Sequence, residues 1–424
     1  MTFQNLPARI AYATGEYPKV SHTFIQREIE ALRQQGLSVE TFSIRRPASS
    51  SVLSDQRTEE EQTYYVLENC KRLGIFLGAH LRKLVRSPAV YFQVLSLAWR
   101  MRSPGLKGLL YQIFYFAESV LLADELNRRG ITHLHNHFGD SSCTVAMLAS
   151  VLSGVPYSFT EHGPTIFFEA GKWRLDEKIA RARFVVAISH FCRSQLMLFS
   201  APEHWDKIAI VHCGVIPERY AFAPKTSASK HLVYVGRLEP VKGLLVLLDA
   251  VANLRQRHPD LQLTIVGDGT SRPGIEATAR ELGLAGITRF VGYRTSAEVA
   301  AHLADADLLV LPSFAEGVPV VLMEAMASGR PVIASRVAGV QELVQDGIAG
   351  FTVPPGDVTT LAQRIEQLIT DPALCARMGH AGRQIVEREF SIAAEARRLG
   401  DLMTGPGTPA PLRIGARAET ANAG

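Results

Sequence analysis

The sequence predicts an α/β protein of two domains, each with a parallel sheet covered by helices on both faces. Three observations carry that prediction. Short apolar runs alternate with helical stretches along most of the chain, the pattern of strand–helix–strand crossovers. The alternation breaks at 214–231, GVIPERYAFAPKTSASKH, which has no periodicity and is rich in Pro, Ala and Ser, as a linker is. A length of 424 residues suits two or three domains, each large enough to bury a core.

Taken in order, ARIAYAT, LSVETFSI, HLHNHF, VPYSFTEH, FVVAIS and IAIVHCG read as strands of the first domain. KHLVYVG, LQLTIVGDG, ITRFVGY, DLLVLPS and PVIAS read as strands of the second. Helical stretches such as GLLVLLDAVANLRQRH and SAEVAAHLADA separate them. The expected layout is a Rossmann-like domain over 1–213, the linker 214–231 and a second Rossmann-like domain over 232–385. A helix near 377–402 follows, and its part 386–402 is long enough to cross back onto the first domain. The stretch 403–424 is Gly-, Pro- and Ala-rich and is expected to be disordered. Open parallel sheets bind ligands outside the carboxyl ends of their strands, so the site is expected in the cleft where the two domains face each other.

Composition narrows the class. A hydrophobic fraction of 47% with 20% charged residues is ordinary for a globular protein. Five scattered cysteines without a C-x-x-C favour reduced thiols in the cytosol over a disulfide framework or zinc site. No apolar run approaches the roughly 18 residues of a membrane span. The N-terminus lacks a basic region followed by an apolar stretch, so no signal peptide is expected. These features point to the cytoplasm, with the inner face of the cytoplasmic membrane as a further place of action.

The net charge of +4 is unevenly distributed: residues 1–200 carry +6 and residues 201–424 carry −2. Only the first half is therefore expected to meet an anionic surface, and no nucleic-acid partner is expected. Residues 71–110 hold Lys71, Arg72, Arg82, Lys83, Arg86, Arg100, Arg102 and Lys107 and no Asp or Glu. On a helical projection Leu73, Phe76, Leu77, Leu81 and Leu84 form one stripe, with Arg72, Arg82, Lys83 and Arg86 opposite. Such a helix packs its stripe on its own domain with a solvated basic face, or lies on an anionic bilayer. The first reading is favoured for the stripe, while the basic face remains able to touch lipid.

The residues that carry chemistry cluster in the second half. In YVGRLEPVKG, Arg237 follows a strand that ends in Gly236, and Lys242 stands beside Gly243 near the next helix start. Free N–H groups at a helix start plus two cations would clamp a diphosphate and stabilise it as it leaves. In FAEGVPVVLMEAMASGRP, Glu316 precedes a short helix and Glu324 lies inside it. Gly317 permits close backbone approach, Pro319 suits a helix start, and Gly329 with Pro331 ends the helix. Each carboxylate can accept two hydroxyl hydrogen bonds, as sugars require. VGDG at 266–269 places Gly267 at a strand end, but Arg272 stands where a dinucleotide fingerprint needs its third glycine.

GRLEPVKG, VGDG, FVGY, EGVPVVLMEAMASGRPVIAS and GVQELVQDGIAGFTVPPGD together resemble the retaining glycosyltransferases of family four, which have the GT-B fold. The likeness runs over most of 229–360 in the family's order and spacing. It implies a glycosyltransferase that moves a sugar from a nucleoside-diphosphate-sugar to an acceptor hydroxyl with retention, without metal or other cofactor. It implies that Glu316 contacts the donor sugar, Glu324 the ribose, and Arg237 with Lys242 the diphosphate. The backbone at Gly317, Val318 and Pro319 would face the phosphates and sugar, with the base near Gly292 and Tyr293. HNHFGD and FTEHGPTIF are similar to the family's N-terminal signatures, and His162 matches a histidine near the donor sugar. Thr165 stands where the family often has an Asp. The loop ATGEYPKVSHTFIQREIEAL resembles bacterial exopolysaccharide enzymes of the colanic-acid type, which implies Gly15, Ser21 and Thr23 near the acceptor or donor phosphate. The acceptor is then a glycan or a lipid-linked sugar.

His133, His135 and His137 share one strand face by period two and could bind zinc, but no further cluster completes a site; contact with acceptor or simple packing is the favoured reading. Asp305 and Asp307 resemble a metal-binding D-x-D but sit where an Asp closes a turn. Two other functions fit the same fold: a nucleotide-sugar epimerase or phosphorylase, and a non-catalytic nucleotide-sugar-binding component of a polysaccharide assembly complex.

Overall fold

The computed structural model describes residues 8–19, 22–48, 52, 56–223 and 229–405. Ser21, residues 224–228 of the expected linker and the tail from 406 onward lie outside the described residues.

The first domain holds seven parallel strands: β1 (Arg9–Glu16), β2 (Ser38–Arg45), β3 (Tyr64–Tyr65), β4 (His133–His137), β5 (Tyr157–Glu161), β6 (Phe184–Ala187) and β7 (Ile208–Ile210), in the order β3-β2-β1-β4-β5-β6-β7. The second holds six: β8 (His231–Val235), β9 (Gln262–Val266), β10 (Thr288–Gly292), β11 (Leu308–Leu311), β12 (Val332–Ser335) and β13 (Gly350–Val353), in the order β10-β9-β8-β11-β12-β13. All strand pairs are parallel. Chain order reverses between β1 and β4 and again between β8 and β11. Each reversal parts the flanking loops at the carboxyl strand ends and so leaves a crevice there.

Burial on both faces explains the sequence pattern of the second sheet. The strands LLVL and VIAS, β11 and β12, are buried at every residue, so they are continuous apolar runs rather than alternating ones. Two strands escape the sequence pattern. Tyr64–Tyr65 is too short to show a period, and GFTV at β13 opens on Gly350, whose φ of +158° and contact with the Val332 carbonyl leave no room for a side chain.

The expected single helix over 377–402 is two helices, Pro372–Glu389 and Ile392–Thr404. The break has a cause. Val215, leaving the first domain, donates its N–H to the Phe390 carbonyl, and Ile392 donates its N–H back to the Val215 carbonyl. The two interdomain passes of the chain thus pair with each other, which takes 390–392 out of the helical ladder. Ile392, Ala396, Leu399 and Met403 then pack with Ile25, Ile29 and Leu32 of the helix Thr23–Gln34, in the first domain.

Four helices lie between β3 and β4: the short Val66–Cys70, then Leu73–Arg86, Pro88–Arg100 and Leu106–Arg129. The expectation that the stripe Leu73, Phe76, Leu77, Leu81 and Leu84 packs inward fails for its leucines: all four are exposed, Phe76 is half-buried against His80, and Ala79 is the buried position of that helix. The expectation that no segment reaches span length also needs correction. Leu106–Arg129 is long and apolar enough by length and composition, although half of its apolar window is buried inside this fold.

Candidate functional site

Each domain offers one lip of the cleft, and the two lips touch. The loop after β5 carries Gly163, and the loop before the helix Val320–Ala327 carries Gly317. A Cβ on Gly163 would lie 3.3 Å from the Gly317 Cα, and a Cβ on Gly317 would lie 2.1 Å from the His162 carbonyl oxygen. Glycine at 317 is therefore what lets the domains close. Gly339 meets Ser189 in the same way, at 2.9 Å from its hydroxyl.

Charged contacts hold this closure. The Arg27 guanidinium reaches the Glu324 carboxylate at 2.7 Å, and both side chains are buried. Tyr220 donates its hydroxyl to the same carboxylate oxygen at 2.8 Å. Glu342 accepts from the backbone N–H groups of His190 and Phe191 at 2.7 and 2.8 Å. These are free N–H groups at the start of the helix His190–Leu198, so a carboxylate from the second domain caps a helix of the first.

On the second-domain side, Lys242 and Glu316 form an ion pair of 2.5 Å, with both side chains largely buried. Local geometry places them. Pro240–Lys242 is a tight turn closed by Gly243 at φ +64°, where a Cβ would strike the Pro312 carbonyl. The loop Ser313–Pro319 therefore lies on that turn, and Phe314 donates its N–H to the Val241 carbonyl. Arg237 is exposed on the same loop and forms no ion pair among the described residues. Gly267 is buried with φ +133° because the Gly236 carbonyl lies against it; it bridges to Gly292, whose φ is +73°. Tyr293 stands exposed beside it. Val318 is buried and Pro319 caps the helix start.

The first-domain residues divide. Gly15, at the end of β1, faces open space, and Thr23 opens the first helix at partial exposure. His135 and His137, expected on the acceptor side, are fully buried and do not reach it. They belong to a polar ladder between β4 and β5. His133 and His135 both bond the Ser158 hydroxyl at 2.7 Å, and His135 also bonds Thr160 at 2.9 Å. His137 pairs with His162 at 2.7 Å. Burial pushes the His133 pKa down to about 3, and those of His135 and His162 well below the usual range, so these rings are neutral. His162 turns its second nitrogen toward the Cys213 thiol, 3.5 Å away, and meets the loop at Gly317 through its carbonyl rather than its ring.

Ligand atoms of Glu28, His135 and His137 lie within 4.8 Å of one another. Both His135 nitrogens are engaged by Ser158 and Thr160, and Tyr12 donates to Glu28 at 2.7 Å, so a metal would have to displace existing partners. Asp307 accepts from the His231 N–H and the Ser229 hydroxyl, which fixes the start of β8.

Three residues of this cleft escaped the sequence reading: Arg27, Tyr220 and Glu342. Arg27 and Glu324 are far apart in the chain, and no short motif joins them. Ser313 is a fourth: it is buried at the carboxyl end of β11 with its hydroxyl unpaired, as is Thr14 at the end of β1.

Glu118 gives a stability prediction. Its carboxyl is buried with one oxygen unpaired, and burial pushes its pKa up from 4.5 to about 7, with Arg45 opposing. The folded pKa lies above the unfolded one, so this group's stabilising contribution is complete below about 4.5 and is lost as pH rises through about 7. Glu118→Gln, which does not titrate, is expected to gain on wild type across that window. At pH 8 the gain approaches about 3 kcal/mol at most, from about 1.4 kcal/mol per pKa unit. Urea denaturation at pH 5 and pH 8 measures it; an equal difference at both would refute the buried, shifted carboxyl.

Comparison with known proteins agrees with this arrangement. Residues 22–219 match the family model Glycosyltransferase Family 4, and residues 218–385 match the model Glycosyl transferases group 1. WcaL of Escherichia coli K12, a candidate colanic acid biosynthesis glycosyltransferase, is 30% identical over 288 residues, 63% of this chain and 69% of that protein. The chain belongs to this glycosyltransferase family. Glycogen synthase of Mycobacterium tuberculosis is 37% identical over 187 residues, 43% of this chain and 45% of that protein, so the chain spans under half the length of that relative. Among solved structures, Anabaena HepE in complex with UDP superposes with a TM-score of 0.69 at 17% identity, covering 93% of this chain and 98% of that one. That likeness shows the two-domain GT-B fold.

Proposed function

We propose that this glycosyltransferase moves a sugar from a nucleoside-diphosphate-sugar to an acceptor hydroxyl, with retention at the anomeric carbon, in the synthesis of an extracellular or cell-surface polysaccharide. The observation that carries this reading is the Lys242–Glu316 pair beside Arg237, on the lip of the second domain that faces the first. Two cations on one loop, one of them paired with a carboxylate, suit a donor with an anionic tail and a hydroxylated head. Arg237 and Lys242 bind the diphosphate, and Glu316 accepts from sugar hydroxyls while keeping the Lys242 ammonium in place. The unpaired Ser313 hydroxyl, close in sequence to Glu316, is a further donor contact.

Glu324 holds the ribose only by sharing its carboxylate with Arg27 and Tyr220, since one of its oxygens already accepts from both. Departure of the diphosphate leaves charge that the two cations stabilise, and that diphosphate takes the acceptor proton on the same face. No second carboxylate across the anomeric centre is needed, unlike in glycosidases. No metal is needed either. The colanic acid assignment of WcaL supports a polysaccharide product, and the UDP bound to HepE supports a nucleoside diphosphate in a cleft of this shape.

A thermal-shift panel of nucleoside diphosphates and their sugars tests the reading, because a ligand that binds the native state raises its melting temperature. One base is expected to stand out, and its sugar conjugate to be consumed with an acceptor, giving a product of unchanged anomeric configuration. No shift with any nucleotide would refute it. Binding without transfer or hydrolysis across a broad acceptor screen would favour a non-catalytic binding component, and turnover without acceptor an epimerase.

A further inference from the structure

The three helices Leu73–Arg86, Pro88–Arg100 and Leu106–Arg129 present apolar side chains to solvent on a scale that folding does not explain. Leu73 is 70% exposed, Phe92 58%, Trp99 51% and Leu106 72%, with Leu77, Leu81, Leu110, Ile113 and Phe114 also open. The three helices pack against one another, and monomeric proteins rarely leave large apolar patches uncovered. Between the second and third helices lies a groove of about 430 Å³, lined by Phe92, Leu95, Trp99, Leu109 and Ile113.

The stretch 71–110 itself carries charge of one sign only. Lys71, Arg72, Arg86, Arg100 and Lys107 are exposed and form no ion pair among the described residues, and 71–110 contains no acid. The Arg102 guanidinium lies over the Trp99 ring at 4.3 Å, and the Lys107 ammonium over Tyr111 at 5.8 Å. Cations over exposed aromatic rings, beside bare apolar side chains, suit a surface that sits at a lipid–water boundary. The long helix Leu106–Arg129 enters this face with its N-terminal half bare and sinks its C-terminal half into the domain core, so it anchors the face rather than crossing a bilayer.

We infer that this face inserts shallowly into an anionic bilayer, with a lipid hydrocarbon chain in the groove between the helices Pro88–Arg100 and Leu106–Arg129. A second copy of the chain is a poorer occupant, because pairing the face with itself would bring the same unpaired cations together. The inference stands apart from the proposed donor chemistry. It places the first domain at the membrane, where a lipid-linked acceptor is delivered, and it reverses the orientation expected from the sequence: the apolar stripe, not only the basic face, meets the lipid.

The test is co-sedimentation of the full chain with phosphatidylcholine vesicles, with and without phosphatidylglycerol, at low and high salt. Wild type is expected to bind the anionic vesicles, and to bind them less at high salt. Leu77→Glu with Leu106→Glu should weaken that binding by about tenfold or more, with an unchanged melting temperature because both sites are exposed. Leu73→Glu alone serves if the double variant folds poorly. Brominated phosphatidylglycerol should quench tryptophan fluorescence in wild type, and Trp99→Phe should remove most of that quenching while binding persists. Equal binding to neutral and anionic vesicles, binding unmoved by the glutamates, or quenching that survives in Trp99→Phe would each overturn the inference. So would a dimer without vesicles that the glutamates make monomeric, which would assign the face to a second copy.

Discussion

Lys242→Ala is expected to lower turnover at saturating donor by about 10² or more, the scale of removing one preorganised electrostatic contact from a transition state. Two losses combine. The cation that faces the departing diphosphate disappears, and Glu316 loses the partner that holds it 2.5 Å away in a largely buried setting. Glu316→Ala should cost a similar factor for the converse reason: it frees the ammonium to move and removes the acceptor for sugar hydroxyls. Because the two act as a unit, the double variant should be little worse than either single one. Steady-state kinetics with each variant, together with their melting curves, decide the matter. Turnover like that of wild type in both single variants would refute the assignment. Multiplying defects in the double variant would show that the two side chains act separately.

The second large effect concerns closure of the cleft. Arg27→Ala should destabilise the closed protein by about 3–5 kcal/mol, the usual consequence of leaving one partner of a buried ion pair unpaired. Glu324 would remain buried with only the Tyr220 hydroxyl to accept from. Adding Glu324→Gln should recover part of the loss, since a neutral amide costs less to bury than a lone carboxylate. A double-mutant cycle by chemical denaturation measures the coupling, and small-angle scattering reports whether the domains part. Arg27→Ala within about 0.5 kcal/mol of wild type, the range of a neutral surface change, would mean that this pair is open to water in solution. If the ribose does use Glu324, the same variant should change donor affinity as well, because Arg27 and the ribose compete for one carboxylate.

Much of this architecture was legible because it is local. The strands of the second sheet are short, mostly apolar runs, LLVL of β11 throughout, and the Gly- and Pro-marked loops that follow them announce where backbone must come close. Lys242 and Glu316 could be singled out for the same reason: each sits beside a glycine, Gly243 or Gly317, whose shape a neighbouring carbonyl dictates. The short strands β3 and β13 were not legible, having too few residues for a period. Nor was the break at Phe390–Ser391, because the Val215 that causes it is far away in the chain.

Side-chain direction was the other gap. A helical projection groups Leu73, Leu77 and Leu81 on one stripe but does not say which way the stripe points, and here it points outward. Period two puts His133, His135 and His137 on one face but does not say that Ser158, Thr160 and His162 wait on the next strand to engage them.

The sequence by itself determined the two α/β sheets and the loops that hold Arg237, Lys242 and Glu316, because spacing and backbone chemistry act between neighbours in the chain. Only the tertiary structure decided what Glu324 touches, what caps the helix His190–Leu198 and which face of the inserted helices is bare. Those outcomes depend on bringing distant segments together, where a buried charge must find a partner and an apolar stripe finds either a core or the solvent.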